Sequence, residues 1–304
     1  MNALEQIHTL QLEVSPQYSR TLRTRMDACT PEEVAFLEEV AELILKIADH
    51  GLQSYCEGYN WICDAFLREE LEFRRSGEYR LKTFEEAFAQ VYDRPEVMVP
   101  YMRGLLMTQL WWPNHTSALH YLRHSFLPTL PDDYSFLEIG PGHGLLLSFP
   151  ANDPRCAALE AWDISESSLA ETKDCLHRIG VHRNVRLRKK DLYEAASGTD
   201  QFDGILFSEV LEHLADPEGA LRALREALTP SGKLLIHVPL NSPAPDHLFN
   251  PESDTKLLDL VSRCGFHIES SAFYPQHGFS LEQAAADKLT ISALVVARKN
   301  EAEI

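Results

Sequence analysis

The chain has 304 residues and a formal net charge of −18 at pH 7, long enough for one large domain and a smaller companion. So acidic a chain is a poor match for a partner held by phosphate neutralisation. No uninterrupted apolar run approaches the length of a membrane span. The N-terminus MNALEQIHTLQLEV lacks the basic-then-apolar pattern of a secretory signal. Six scattered cysteines with no C-x-x-C pair read as reduced thiols of a cytoplasmic protein, against a disulfide framework or a zinc site.

The first 125 or so residues read as helices. In TPEEVAFLEEVAELILKIADHG (30–51), Thr30 is the N-cap, Pro31 the first helical residue and Glu33 the capping-box partner. Val34, Leu37, Val40, Leu43, Ile44 and Ile47 form an apolar stripe, and Gly51 is the expected stop. TFEEAFAQVY (83–92) repeats the device with Thr83 and Glu86. WWPNHTSALHYLRH (111–124) carries His115, His120 and His124; the last two share a helical face, but without an H-E-x-x-H pattern or a nearby carboxylate no metal is expected there. Trp111, Trp112 and Tyr121 are read as an apolar roof or as part of a pocket wall. FLPTLPDDYS, near 125–134, is the expected linker, so 1–130 is taken as a helical cap and 131–304 as the second domain.

From about 133 the pattern alternates. SFLEIG (135–140), AALEAWD (157–163), VRLRKKD (185–191), FDGILFSE (202–209) and KLLIHVP (233–239) read as strands. Between them, SESSLAETKDCLHRIG (165–180) and DPEGALRALREALTPSG (216–232) read as helices. This predicts an α/β fold with a parallel sheet covered on both faces. FHIESSAFYP (266–275) and LTISALVVARK (289–299) look like an antiparallel hairpin closing one edge, with no clear helix between them. Arg183, Arg186, Arg188, Lys189 and Lys190 form a local cationic run, read as the solvated face and edge of a strand.

After the first strand comes GPGHG, with Gly140, Gly142 and Gly144 at alternate positions. Glycines there let backbone amides approach a ligand beyond the carboxyl ends of the strands. The dinucleotide fingerprint G-x-G-x-x-G would need a third glycine at 145, where Leu145 stands, so an oxidoreductase of the nicotinamide type is disfavoured. Asp163 ends the second strand, where a carboxylate can accept from two ribose hydroxyls; Ser165 is the better N-cap for the following helix.

The motifs EIGPGHG (138–144), AWDISES (161–167), KKDLYE (189–194), FDGILFSEVLEHLADP (202–217) and LTPSGKLLIHVP (228–239) occur in one order. Together they resemble the class I S-adenosylmethionine-dependent methyltransferases, in particular the branch acting on small molecules. The resemblance covers about residues 133–299 and implies a Rossmann-like, seven-stranded, mostly parallel sheet with an antiparallel last strand. It implies S-adenosyl-L-methionine as cofactor: Glu138, Gly140, Gly142 and Gly144 at its methionyl and ribose portion, Asp163 at the ribose hydroxyls and Ile164 against the adenine. It likewise sets Asp191 and Leu192 at the adenine edge, and Ser208 and Glu209 beside the sulfonium. His143 departs from the small residue usual in such a loop.

Methyl transfer from a sulfonium is an in-line displacement needing alignment and dryness, and a base only where the acceptor loses a proton. Candidates are His213 first, then His247 on the proline-rich loop 240–251, positioned like a substrate lid, and Glu209; His237 is expected to point into the sheet packing. The expected function is transfer of a methyl group to a small-molecule metabolite, with no nucleic-acid or membrane partner and no metal. The cap is taken as a cover, a substrate selector or a homodimer surface. Alternatives are an RNA or protein methyltransferase, or a methyltransferase fold used for other chemistry or for binding alone.

Overall fold

The computed structural model describes residues 1–197 and 200–300. The N-terminal region is built from helices α1 (Ala3–Val14), α2 (Ser19–Asp27), α3 (Pro31–Ala48), α4 (Leu52–Ser76), α5 (Phe84–Ala87), α6 (Pro95–Trp111) and α7 (Pro113–Tyr121). Capping boxes at Thr30/Glu33 and Thr83/Glu86 start α3 and α5 as their sequences predict. The end of α3 differs from expectation. Asp49, at φ +48°, turns the chain, and Gly51 comes only at the end of the following 3-10 turn. Thr83–Tyr92 also departs from a plain helix, because α5 passes into a π-type turn at Phe88–Tyr92.

The rest of the chain forms one seven-stranded sheet: β1 (Tyr134–Ile139), β2 (Cys156–Asp163), β3 (Arg186–Lys189), β4 (Phe202–Ser208), β5 (Leu228–Leu240), β6 (Phe266–Pro275) and β7 (Ile291–Lys299). Their order is β3-β2-β1-β4-β5-β7-β6, parallel throughout except that β7 runs antiparallel to both neighbours. Helices α8 (Ser148–Asn152), α9 (Glu166–Arg178), α10 (Pro217–Glu226), α11 (Asp254–Arg263) and α12 (Leu281–Ala286) join the strands. The short α12 lies between β6 and β7, where the sequence shows no clear helix; it makes that connection longer than a tight hairpin. Because β1 and β4 are central and buried, they read as continuous apolar runs ending at the carboxyl edge.

Two apolar clusters sandwich the sheet. One face packs against α10 and α11 through residues such as Leu221, Leu224 and Leu257. The other face shares a continuous core with the N-terminal helices, in which Phe136, Leu206 and Leu235 join Ile44, Ile62 and Leu106. The cationic run has internal partners: Arg186 and Arg188 reach the buried Glu160, Lys190 reaches Asp200 and Lys189 reaches Glu166. Arg183 is bound to the carbonyls of Pro150 and Cys156. No helix among the described residues is long and apolar enough to cross a membrane.

Helices α4 and α6 touch through glycine. A Cβ at Gly104 would sit 2.5 Å from the Gly58 carbonyl oxygen and 2.9 Å from Ile62 Cβ. Backbone cannot yield as a flexible side chain does, so Gly104→Ala should cost about 1–3 kcal/mol, the usual scale of overpacking. The check is a lowered urea midpoint at unchanged slope.

Candidate functional site

At the carboxyl ends of β1, β2 and β4 the chain makes three turns along one edge of the sheet. The first is the glycine loop. Gly140, Gly142 and Gly144 have φ of +64°, +48° and +68°, a region that side-chain-bearing residues enter at a cost. A Cβ on Gly140 would lie 3.0 Å from Val210 Cγ2, and one on Gly142 3.3 Å from Met102 Cε of α6. The Thr172 hydroxyl of α9 lies 2.7 Å from the Gly142 carbonyl and pins the loop from below. His143 accepts from the Leu145 amide through Nδ1. Burial, with His115 adding to it, lowers its pKa to about 4 and keeps it neutral.

Glu138 is the penultimate residue of β1, two places before Gly140. It is buried, its Oε2 has no hydrogen-bond partner, and burial pushes its carboxyl well above the ordinary range. Asp163 ends β2. Its Oδ1 accepts from the Ser165 amide at 2.8 Å and its Oδ2 from the Ser168 hydroxyl at 2.7 Å. Burial raises its pKa, and these two donors work against the rise. Ser165 caps α9 as expected. Beside Asp163, Ile164 is exposed and Leu192 buried, while the exposed Asp191 accepts from the Tyr193 amide at 3.0 Å.

The turn after β4 carries the third group. Ser208 Oγ lies 2.9 Å from His237 Nδ1, and Glu209 Oε1 lies 3.0 Å from His237 Nε2. Glu209 is held at φ +53°, an uncommon conformation for a side-chain-bearing residue. Burial opposes its charge, yet the His237 imidazole outweighs that and holds the carboxyl below the usual range. His237, expected in the sheet packing, thus turns toward the edge and orients Glu209.

The loop after β5 is not an open lid. Asn241 to His247 are buried under the N-terminal helices. The Tyr92 and Tyr101 hydroxyls donate to the two oxygens of Asp246 at 3.0 and 2.8 Å. The Tyr79 hydroxyl accepts from the Ser242 amide at 2.9 Å, and Arg80 donates to the Pro245 carbonyl. His247 therefore has no access to bulk water, and burial, reinforced by His213, lowers its pKa to about 4. His213 is half-buried against Asp246.

The histidines of 111–124 part company. His115 is buried with its ring 6.3 Å from that of His237. His120 and His124 stack 4.4 Å apart against Phe36, on the far side of the helix. Tyr92, Tyr101 and Met102 are the contributors that sequence reasoning did not pick out, since no motif marks them and only the packing of α6 and the turn before it brings them to this edge.

A methyltransferase-domain family model matches residues 114–284, more than half of the chain. An uncharacterised protein of Synechococcus sp. is 35% identical over 102 residues, covering 34% of this chain and 24% of that protein. The ubiquinone biosynthesis O-methyltransferase of Azoarcus sp. is 30% identical over 127 residues, covering 42% of this chain and 53% of that protein. The match thus spans about half the length of these curated relatives, or less. The solved structure of a mitomycin 7-O-methyltransferase aligns with a TM-score of 0.53 at 14% identity, covering 84% of this chain and 74% of that one; this is a likeness of fold.

The orphaned Glu138 has a measurable consequence. A carboxyl whose folded pKa lies above its unfolded value binds more protons when folded. Its contribution to stability is therefore lost as pH rises from the unfolded value of about 4.3 toward the folded one. Glu138→Gln should accordingly raise the thermal midpoint of the ligand-free protein near neutral pH, with the gain vanishing at about the unfolded pKa. A midpoint series across that range checks it.

Proposed function

The chain belongs to the methyltransferase-domain family, and from that membership we propose that it transfers the methyl group of S-adenosylmethionine to a small-molecule acceptor. The observation that carries the reading is the Glu138 carboxylate with an unpartnered oxygen, two places before a left-handed glycine turn. Such a cradle suits a ligand that brings positive charge and polar atoms close to backbone. Glu138 and the turn of Gly140, Gly142 and Gly144 would hold the methionyl and ribose portion. Asp163 would accept from the ribose hydroxyls, Ile164 would cover the adenine, and Asp191 and Leu192 would meet its edge. Ser208 would border the sulfonium. When bound, the cofactor supplies an activated methyl group, which leaves alignment, exclusion of water and proton handling to the protein.

Three features support a small acceptor. The N-terminal region packs over the loop after β5 through Tyr79, Tyr92 and Tyr101, and such a cover would roof the acceptor side. The cations of 183–190 are engaged internally. The Azoarcus relative is named for a methylation in ubiquinone biosynthesis, a small-molecule reaction. An acceptor hydroxyl or amine that loses its proton as the bond forms needs a base. Glu209 is the group we assign, ahead of His213 and His247. Its side chain keeps 31% exposure, against 20% and 4% for the imidazoles. The proton taken by Glu209 would be shared with His237, 3.0 Å away.

Asp163→Ala should weaken S-adenosylmethionine binding by more than about tenfold, since a hydrogen bond to a charged group is worth about 1.5–3 kcal/mol. Calorimetry tests this, and unchanged affinity would remove Asp163 from the ribose site. Glu209→Gln should reduce methyl-label transfer to the accepting fraction of a cell extract by at least about a hundredfold, the lower scale of acid–base catalysis. Cofactor affinity should stay within a factor of about two in that variant; full turnover would dismiss Glu209 as the base.

A further inference from the structure

The turn after β4 and the loop after β5 bring together a second group of polar side chains to which the reaction above assigns no role. Glu212, on the 3-10 turn Leu211–His213, is fully buried, and neither of its carboxylate oxygens has a hydrogen-bond partner. Two imidazoles face it. Nε2 of His213 and Nε2 of His247 each lie 3.9 Å from Glu212 Oε1. Their rings stand 4.9 Å apart at 77° to one another.

What surrounds the other ring nitrogens fixes the tautomers. His247 Nδ1 lies 2.6 Å from the Ser242 carbonyl oxygen, which can only accept, so Nδ1 carries the proton. His213 Nδ1 faces the Asp246 carbonyl at 3.2 Å and Asp246 Oδ2 at 3.5 Å. It also faces the Tyr92 oxygen at 3.3 Å, but the Tyr92 proton is already given to Asp246. These neighbours too only accept. When each ring is neutral, Nε2 is therefore a bare lone pair, 3.9 Å from a Glu212 oxygen.

Glu212 and the two Nε2 atoms converge beside the rings of Phe66, Tyr79 and Tyr92. One proton can bridge a single pair of the three and leaves the third unmatched. A divalent ion satisfies all three. Imidazoles whose N–H groups are anchored on carbonyls are the usual outer support of such an ion.

We propose that Glu212, His213 and His247 form a binding site for one divalent transition-metal ion of the zinc class. Two imidazoles and one carboxylate favour a borderline ion over the hard Mg2+ or Ca2+, which take oxygen. The three ligand atoms already lie within 4.8 Å of one another. Bond lengths of about 2.0–2.2 Å require them to draw together by roughly an ångström, which side-chain rotation supplies. The sequence offers no metal motif here, because His247 arrives from a different loop. The inference is independent of the methyl acceptor and of cofactor binding.

The test uses the full chain, stripped with a chelator and titrated with Zn2+ alone and with Mg2+ alone. Expected is uptake of one Zn2+ per chain, with Mg2+ bound at least a hundredfold more weakly. Glu212→Gln and His247→Gln should each lower Zn2+ affinity by tenfold or more. A His120→Ala/His124→Ala double variant should retain full uptake, since those stacked imidazoles are the other place for an adventitious ion. Zinc X-ray absorption on the unmutated chain should give two imidazoles and oxygen, a readout that stands even where a variant fails to fold. Substoichiometric uptake, undiminished affinity in Glu212→Gln, loss in the double variant, or a sulfur ligand would each overturn the site. Calorimetry with S-adenosylmethionine on the same samples reports separately on the proposed function.

Discussion

Carboxylates withdrawn from water govern the architecture of this molecule. Glu138, Asp163, Glu209, Glu212 and Asp246 all gather at the carboxyl edge of the sheet, and three of them are fully or nearly fully buried. A buried carboxylate is tolerated when neighbours match it, and is costly otherwise. The chain matches them unequally. Asp163 has an amide and a hydroxyl, Asp246 has two tyrosine hydroxyls, and Glu209 has an imidazole. Glu138 and Glu212 keep oxygens with no protein partner. An edge built this way is less stable than an apolar one would be.

The compensation for Asp246 also explains how the N-terminal helices attach. Tyr92 and Tyr101 come from the segment before α6 and from α6 itself, and both hydroxyls end on a loop some 150 residues later. Each hydrogen bond to a charged acceptor is worth about 1.5–3 kcal/mol, which is enough to order a loop carrying three prolines. The close passage of Gly104 over Gly58 sets the line of α6. That line in turn brings Met102 over Gly142. Packing within the helical region is thereby coupled to the shape of the glycine loop.

Elements set by local rules were legible in the sequence. The strands appear within a few residues of their predicted places, β5 running longest past them, and the capping boxes at Thr30 and Thr83 start their helices, because both depend on neighbours a few residues away. The order of the motifs likewise gave the sheet and its antiparallel β7. What misled was whatever tertiary contacts decide. The loop 240–251 reads as a substrate lid from its prolines and its place after a strand, and only tyrosines distant in the chain show it held and buried. His237 reads as packing, but its two nitrogens meet Ser208 and Glu209 on the neighbouring strand end. Asp49 rather than Gly51 ends α3, a choice between two residues able to turn the chain that stand two positions apart.

The three histidines of 111–124 carry the argument one step further. On a helix their spacing pairs His120 with His124 and leaves His115 alone, and it is the solitary one that turns inward. Its Nδ1 lies 2.9 Å from Thr108 Oγ1, whose proton is already given to the Leu105 carbonyl, so His115 donates there and keeps a bare Nε2. Burial lowers its pKa to about 4, so the ring is neutral at physiological pH. A neutral acceptor lent by the cap to the neighbourhood of Glu209 and His237 is something the sheet cannot provide for itself. In this chain the covering helices bring a polar group of their own to that edge.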